Sequence, residues 1–216
     1  MKKALLSLLC LILMGTAALA QKTFEGQITY SFSFEGEGFE TMASLMPTAM
    51  TIDILKNETS VEMQGGLMSS MVGRVFSVSK KNKSYMIKDG EKVAYEISME
   101  NAAKPSDVTS ATKEDEILDI QGYACQKYKV ISKTAEGESV SYVWTTDKLL
   151  MPAMSGSNGS MAGMLASKGA PGTPLKVMVI QNGLTVVLTV TKISTTKPSK
   201  NLFKIPKGYS IEPMKL

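Results

Sequence analysis

Residues 27–34 read QITYSFSF, and this stretch decides the fold class. The apolar residues Ile28, Tyr30, Phe32 and Phe34 alternate with polar ones, which is the period of two that a β-strand with one buried face requires. An amphipathic helix would instead repeat its apolar residues three and four positions apart. The stretch therefore predicts a half-buried strand.

The same signal recurs along the chain. Further segments with alternation or with β-branched and aromatic residues are 50–54, 74–78, 84–87, 93–97, 123–131, 139–145, 175–180 and 184–193. Turn signals separate several pairs: Asp89-Gly90, a polar link containing Gly137, and Asn182-Gly183. Consecutive hairpins predict a mainly β fold with a single antiparallel sheet. The sequence lacks the strand-helix-strand rhythm that is typical of a nucleotide-binding fold.

Two segments interrupt the strands. Residues 38–49 place Met42, Leu45 and Met46 at helical spacing, which predicts a short helix. Residues 153–174 are rich in glycine, serine and methionine, which predicts a long flexible loop, or a lid with a short helical piece. The fold is thus expected to carry one or two short helices beside its sheet.

The N-terminus has the parts of a secretory signal peptide. Lys2 and Lys3 precede an uncharged apolar run at residues 4–14, and Ala18-Leu19-Ala20 supplies the small-x-small pattern of a cleavage site. The run is shorter than the roughly 20 residues that span a bilayer. We expect cleavage after Ala20 and one mature domain, residues 21–216, in the periplasm, with association with the outer membrane left open.

Charge and cysteine content exclude further classes. The formal net charge of +4 falls to +2 without Lys2 and Lys3, and Arg74 is the only arginine, so a nucleic-acid partner is not expected. Cys125 is the only cysteine after the signal segment. The exported domain therefore has no internal disulfide and depends on its hydrophobic core for stability.

Enzymatic chemistry is not expected either. The chain contains no histidine, which removes the common nucleophilic triads and most catalytic zinc sites. The carboxylates Glu35, Glu37 and Glu40 lie close together in sequence, but their glycine-rich surroundings favour a solvated turn over a glycosidase pair. Residues 114–116 (EDE) are interpreted as a charged linker. The sequence predicts no catalytic residue, no cofactor and no metal site built from these groups.

Methionine is unusually frequent. Of 16 methionines, 14 remain when Met1 and Met14 are removed. Several pair at short spacing: Met42 with Met46, Met68 with Met71, Met151 with Met154, and Met161 with Met164. Thioethers are soft ligands for Cu(I), and methionine also suits apolar surfaces that accept varied partners or simply fills a core. Copper is the weaker of the two functional interpretations because the pairs are dispersed and no histidine assists.

Six blocks in order carry a family resemblance: residues 24–30, 120–128, 143–147, 172–175, 190–193 and 202–209. Together they resemble an uncharacterised family of exported bacterial proteins, the domain of unknown function 4412. That family is similar in architecture to the periplasmic lipoprotein carriers LolA and LolB. The resemblance implies a strongly curved antiparallel sheet, an incomplete β-barrel, whose concave face holds acyl chains beneath short helices or loops.

Pattern and resemblance together predict a non-enzymatic periplasmic binding or carrier protein for a lipid, lipoprotein or other hydrophobic ligand. The candidate lining residues are Ile28, Tyr30, Phe76, Tyr85, Val143, Val186, Met154, Met161 and Met164. The lysines after Lys192 allow peripheral contact with an envelope membrane, but exposed lysines usually serve solubility, and that interpretation is favoured. Two alternatives stay open: a structural or interaction protein of the cell envelope without a groove ligand, and a methionine-based Cu(I) site.

Overall fold

The computed structural model describes residues 23–37, 39–78, 83–97, 107–134, 137–152 and 169–214. The strands are β1 (Gly26–Glu35), β2 (Ala49–Leu55), β3 (Glu58–Gln64), β4 (Arg74–Val78), β5 (Lys83–Lys88), β6 (Val93–Ile97), β7 (Asp107–Ile120), β8 (Tyr123–Thr134), β9 (Gly137–Thr146), β10 (Thr173–Gln181), β11 (Leu184–Ser194) and β12 (Ser210–Pro213). Helices are short: α1 (Phe39–Met42), α2 (Gly66–Val72) and a 3₁₀ helix (Lys200–Phe203). These strands form one sheet in the order β12-β6-β5-β4-β3-β2-β1-β11-β10-β9-β8-β7, which confirms the predicted mainly β fold.

Every strand predicted from alternation is present, and the sequence pattern missed β3, β7 and β12. The interpretation of residues 114–116 as a linker is wrong, because they lie inside β7. The register shows them as a bulge in which three residues of β7 oppose Lys127 alone on β8. Charged residues are tolerated there because β7 is an edge strand of the sheet.

The predicted helix and loop need correction at their boundaries. Within the described part of this stretch, residues 39–49, the helix covers Phe39–Met42, and α2 was not predicted. Of the predicted loop at residues 153–174, positions 153–168 lie outside the described residues, and the last two positions belong to β10. Proline is accommodated at position 174 because the β10–β9 register shifts directly after it.

One strand departs from the antiparallel prediction. β12 pairs in parallel with β6, whereas the other neighbouring pairs are antiparallel. A parallel neighbour needs a long crossover rather than a tight turn, and here the chain crosses from β11, in the middle of the sheet, to the edge beside β6. Local turn signals therefore could not have indicated this pairing.

The Asn182-Gly183 turn has the predicted geometry. Its two residues have φ values of 50° and 77°, the left-handed conformation that a tight two-residue hairpin requires. The Asp89-Gly90 signal marks a hairpin as well, but there the left-handed residue is Lys92, with φ of 54°. That turn is longer than the two-residue form, and it closes with hydrogen bonds from Glu91 N to Lys88 O and from Lys92 N to Asp89 O.

Register shows that the apolar residues of the sheet change face between β3 and β4. Directly paired residues on neighbouring strands share a face, and Ile28, Ile52, Val61 and Val75 form such a row across β1 to β4. Phe76 follows Val75 along β4 and therefore points to the opposite face. The sheet thus buries apolar side chains on one face at β1 and on the other at β4.

The sheet cannot be flat. Ten strand spacings separate β6 from β7, which amounts to about 48 Å in a flat sheet. The chain connects Ile97 at the end of β6 to Asp107 at the start of β7, and ten extended residues span at most about 36 Å. The sheet must therefore curve so that its two ends approach each other. Its edge strands β12 and β7 are not paired with each other in the described chain, so the sheet stays open.

The face that carries Ile28 and Tyr30 is the concave one. Tyr30 on β1 donates a 2.8 Å hydrogen bond from its hydroxyl to the carbonyl oxygen of Pro174 on β10. β10 lies two strands away, about 10 Å in a flat sheet, so the sheet bends toward this side chain. We define the concave cluster as the residues buried together on this face: Ile28, Tyr30, Met50, Ile52, Ile54, Val130, Val143, Val177, Leu188 and Val190.

The convex face carries a second, smaller cluster, which the C-terminal segment covers. We define the convex cluster as Phe76, Tyr85, Ile87 and Ala94, with Ile205 and Tyr209 packed against it. Arg74 donates a hydrogen bond to the carbonyl oxygen of Leu202, and Tyr209 donates one of 2.6 Å to Asp89 Oδ1. These contacts hold the segment after β11 against β3 to β5.

Candidate ligand-binding face

The structure separates the predicted lining residues into two groups. Ile28, Tyr30 and Val143 lie deep in the concave cluster, where the side chains of the sheet itself bury them. Val186 lies on the same face but is only half-buried. Of these four residues, Val186 is therefore the one whose side chain lies partly at the surface.

Two further predicted residues, Phe76 and Tyr85, are not brought to this surface. Phe76 and Tyr85 form a tilted ring pair, with centroids 5.5 Å apart, in the convex cluster on the opposite side of the sheet. Met154, Met161 and Met164 lie outside the described residues. Sequence periodicity assigned Phe76 and Tyr85 to the concave side because it cannot detect a change of face between strands.

A transverse row of residues crosses the concave face near one end of the sheet. Direct register pairs join its six members, one from each of β1, β11, β10, β9, β8 and β7: Phe34, Val186, Val179, Ser141, Val130 and Ala111. The first three are half-buried apolar side chains, whereas Ser141 and Val130 are buried. We call this end of the sheet the helical end, since α1 and α2 connect strands there. The concave face is thus filled at its centre and partly open at its helical end.

Aromatic rings extend this surface from the sheet to α1. The Phe32 and Phe34 rings stack with centroids 5.9 Å apart, and Phe39 of α1 stacks on Phe34 at 5.0 Å. Phe32 and Phe34 share the concave face because they lie two positions apart along β1. All three rings are half-buried, so they present apolar surface as well as contacting one another.

An exposed apolar patch lies at the same end. We define the helical rim as five methionine and leucine side chains that are between 39% and 63% exposed: Met42, Leu45, Leu67, Met68 and Met71. Backbone hydrogen bonds from Leu67 N to Ser44 O and from Met68 N to Leu45 O join the two segments that carry them. Contiguous exposed apolar side chains of this kind mark interaction or ligand-binding surfaces.

Residues next to the predicted lid also border the concave face. Gly169 lies against β7: a Cβ at this position would stand 3.3 Å from Val108 Cγ1 and 3.4 Å from Ala111 Cβ. Its φ of 80° is a conformation that glycine adopts without strain. Ala170 is buried in the core together with Leu149. The chain therefore enters β10 from a position beside the β7 end of the transverse row.

The convex face of β8 to β10 carries a satisfied charged cluster. Lys127 Nζ lies 4.8 Å from the centroid of the Tyr142 ring and 5.2 Å from that of Trp144, and it pairs with Glu116 Oε2 at 2.9 Å. Trp144 donates a 2.8 Å hydrogen bond to Glu116 Oε1. The hydrogen bonds from Lys127 and Trp144 lower the pKa of the Glu116 carboxyl. Because these groups satisfy one another and come partly from the β7 bulge, the cluster anchors that edge strand.

Two titratable groups are buried in the sheet. Burial, helped by the charge of Asp119, raises the pKa of the Cys125 thiol to about 11, so the thiol is neutral at physiological pH. Burial also raises the pKa of the Asp53 carboxyl on the convex face, while a hydrogen bond from Gln27 and the charge of Arg74 oppose that rise. Neither group has the exposed, activated state of a catalytic nucleophile or base.

Comparison with known proteins places the chain in a family. The family model described as domain of unknown function (DUF4412) matches residues 18–209. The chain belongs to this family. The resemblance inferred from six sequence blocks is thereby confirmed. No curated protein gives a significant sequence match.

One solved structure with a similar chain trace is the crystal structure of LprF from Mycobacterium bovis. The sequence identity is 10% and the TM-score is 0.39, over 86% of this chain and 90% of that chain. Within the described ranges, no helix of this DUF4412 protein has the length and apolar character needed to cross a membrane.

Proposed function

We propose that this protein is exported, is cleaved after Ala20, and binds the acyl part of a lipid or lipoprotein on the helical end of its concave face without catalysing a reaction. The observation that carries the proposal is the half-buried apolar surface of Phe32, Phe34, Val179 and Val186 on that face. Burial of one methylene group there contributes about 0.8 kcal/mol, so several methylenes suffice for useful affinity.

The helical rim supports the same proposal. Its leucine and methionine side chains stand beside the partly open surface, and methionine adapts its shape to mobile chains better than branched residues do. An exported carrier also needs a surface that meets a membrane or a lipidated partner before the acyl chain transfers. We assign that contact to the helical rim.

The test compares neighbouring residues on opposite faces of β10. Val179→Asp puts a carboxylate on the concave face, and Ile180→Asp puts one on the convex face, where the isoleucine is already 41% exposed. We expect the first variant to lose uptake of a fluorescent fatty-acid analogue and the second to retain it. Lipid extracted from protein isolated from its native envelope should be detected by mass spectrometry in the wild type and in Ile180→Asp.

Val179→Asp places a charge at a half-buried position, so its loss of uptake can also come from a folding defect. Met71→Asp provides a second test that does not depend on this, because it changes an exposed residue of α2. This variant should keep its thermal midpoint and transfer the fatty-acid analogue from vesicles more slowly. Absence of uptake by the wild type, together with absence of extracted lipid, rules out the carrier function.

A Cu(I) site is the second candidate, and one observation favours it. Met68 and Met71 lie three positions apart on α2, and exposed Met42 belongs to the neighbouring segment of the helical rim. Titration against a Cu(I) chelator distinguishes the two functions. Tight copper binding that Met68→Leu and Met71→Leu abolish would favour the metal, whereas these substitutions preserve the apolar surface and should leave lipid uptake intact.

A further inference from the structure

Two hydroxyl groups on the concave face are buried without a hydrogen-bond partner. Ser132 and Ser141 are each 1% exposed, and neither Oγ atom has a partner in the part of the chain that the structure describes. Ser141 pairs with Val130 in the transverse row, and Ser132 pairs with Ser139 one row nearer the helical end. The two serines are therefore diagonal neighbours on β8 and β9, with Cβ atoms about 7 Å apart.

Apart from Ser139 beside Ser132, the register neighbours of these hydroxyls are apolar. Register places Val179 and Val130 on either side of Ser141, and Val108 directly beside Ser132. A buried hydroxyl without a partner is unfavourable because it has lost its hydrogen bonds to water. Two such groups side by side on an apolar face therefore indicate a place where a bound polar atom supplies the missing partner.

We propose that Ser132 and Ser141 donate hydrogen bonds to the carbonyl group of an acyl ester or amide, whose hydrocarbon chain extends along the transverse row toward Val179, Val186 and Phe34. This inference rests on the proposed acyl-binding function and adds the chemistry of the head of the ligand. The neutral carbonyl matches the site because the neighbours given by register carry no charge. A free carboxylate would be buried here without a counter-ion, which costs much more than burying a neutral carbonyl.

The chain provides a matched control. Ser60 is also 1% exposed and its Oγ atom also lacks a partner among the described residues. It lies on the convex face, paired with Asp53 on β2 and Phe76 on β4. Ser60→Ala therefore removes the same kind of group from the other side of the sheet.

The experiment measures displacement of the neutral apolar dye N-phenyl-1-naphthylamine from the full mature protein at pH 8 by methyl palmitate, palmitate and hexadecane. The wild type should bind methyl palmitate at least tenfold more tightly than hexadecane, and more tightly than palmitate. The double variant Ser132→Ala/Ser141→Ala should bind methyl palmitate and hexadecane about equally, with its hexadecane affinity unchanged. Ser60→Ala should keep the ester preference of the wild type.

Stability provides a second readout. Removing a buried hydroxyl that lacks a partner is neutral or stabilising, so the double variant should keep or raise its thermal midpoint. A lowered midpoint with an unchanged ester preference would mean that the hydroxyls bind structural water, and this overturns the inference. Tighter binding of palmitate than of the ester overturns it too. If none of the three compounds displaces the dye and none binds, the proposed acyl-binding function itself fails.

Discussion

The concave and convex faces bury apolar side chains by different means. On the concave face, strands from β2 round to β8 curve about their own side chains, and members such as Ile52 and Leu188 are completely buried. On the convex face, the four residues of the convex cluster depend on the C-terminal segment for cover, through Ile205 and Tyr209. One face is therefore closed by the curvature of the sheet, and the other by a separate length of chain.

This difference assigns different roles to the two faces. A surface closed by curvature opens where the curvature ends, and half-buried residues of the concave face such as Phe34 and Val186 lie at the helical end. A surface closed by an added segment has no such opening as long as the segment stays in place. We therefore expect substitutions on the two faces to have effects on stability that differ in size and in how far they extend through the sheet.

The largest effect is expected from a cavity in the concave cluster. Leu188→Ala removes a fully buried side chain from β11 near the middle of the sheet, and it should lower the free energy of unfolding by about 3 to 5 kcal/mol. Urea unfolding measures this. Val187→Ala, a half-buried neighbour on the other face, should cost about 1 kcal/mol or less. Equal losses in both variants would contradict the assignment of faces.

The next effect tests the cover of the convex face. Phe203 of the 3₁₀ helix is buried. Phe203→Ala should lower the free energy of unfolding by about 3 kcal/mol. This is the lower end of the range for a buried aromatic residue, because the covering segment can relax inward. Amide hydrogen exchange should become faster in β4 to β6 and stay unchanged in β9 to β11. The exposed neighbour Lys204→Ala is the control and should change neither. Faster exchange throughout the sheet would show that the two faces do not unfold separately.

A smaller effect tests the curvature. Tyr30→Phe removes the hydrogen bond to Pro174 that bridges β1 and β10 and leaves a buried carbonyl oxygen with one partner fewer. The expected loss is about 1 to 2 kcal/mol. Tyr95→Phe removes an exposed hydrogen bond of 3.0 Å to Glu91 and should be nearly neutral. If both variants have the wild-type urea midpoint of unfolding, the hydrogen bond across the concave face contributes nothing to stability.

The smallest effect concerns pH on the convex face. Because the pKa of the Asp53 carboxyl is raised in the folded state, the folded protein binds this proton more tightly than the unfolded chain. Stability from this group therefore falls as pH rises from its unfolded pKa, about 3.9, through its raised folded pKa. Asp53→Asn should be more stable than wild type at pH 7 and equal to it near pH 3.5.

Urea unfolding at several pH values between 3.5 and 7 measures this difference. Asp115→Asn removes one exposed carboxylate from the β7 bulge and serves as the control for a change of net charge. A stability difference between Asp53→Asn and wild type that does not vary with pH would show that burial of the Asp53 charge is not its cause.

The strands could be predicted where alternation was strong, as at residues 27–34, and the turn at Asn182-Gly183 could be predicted from its chemistry. β7 could not be predicted, because its charged bulge has the composition of a linker. Its partners Lys127 and Trp144 come from other strands and are apparent only in the structure. For the candidate site, Val186 was found by alternation. Ser132 and Ser141 carried no signal, since a buried serine and an exposed one look alike in sequence.

The sequence by itself determined that this chain forms hairpins of half-buried strands, that it belongs to the DUF4412 family, and that residues 21–216 hold one cysteine and cannot form a disulfide among themselves. These properties are local, since they depend on period, turn residues and composition. Only the tertiary structure decided which face of each strand is buried. Alternation has the same form on either face, so the change of face between Val61 and Phe76 depends on the curvature of the whole sheet and on the C-terminal segment that covers β4 and β5.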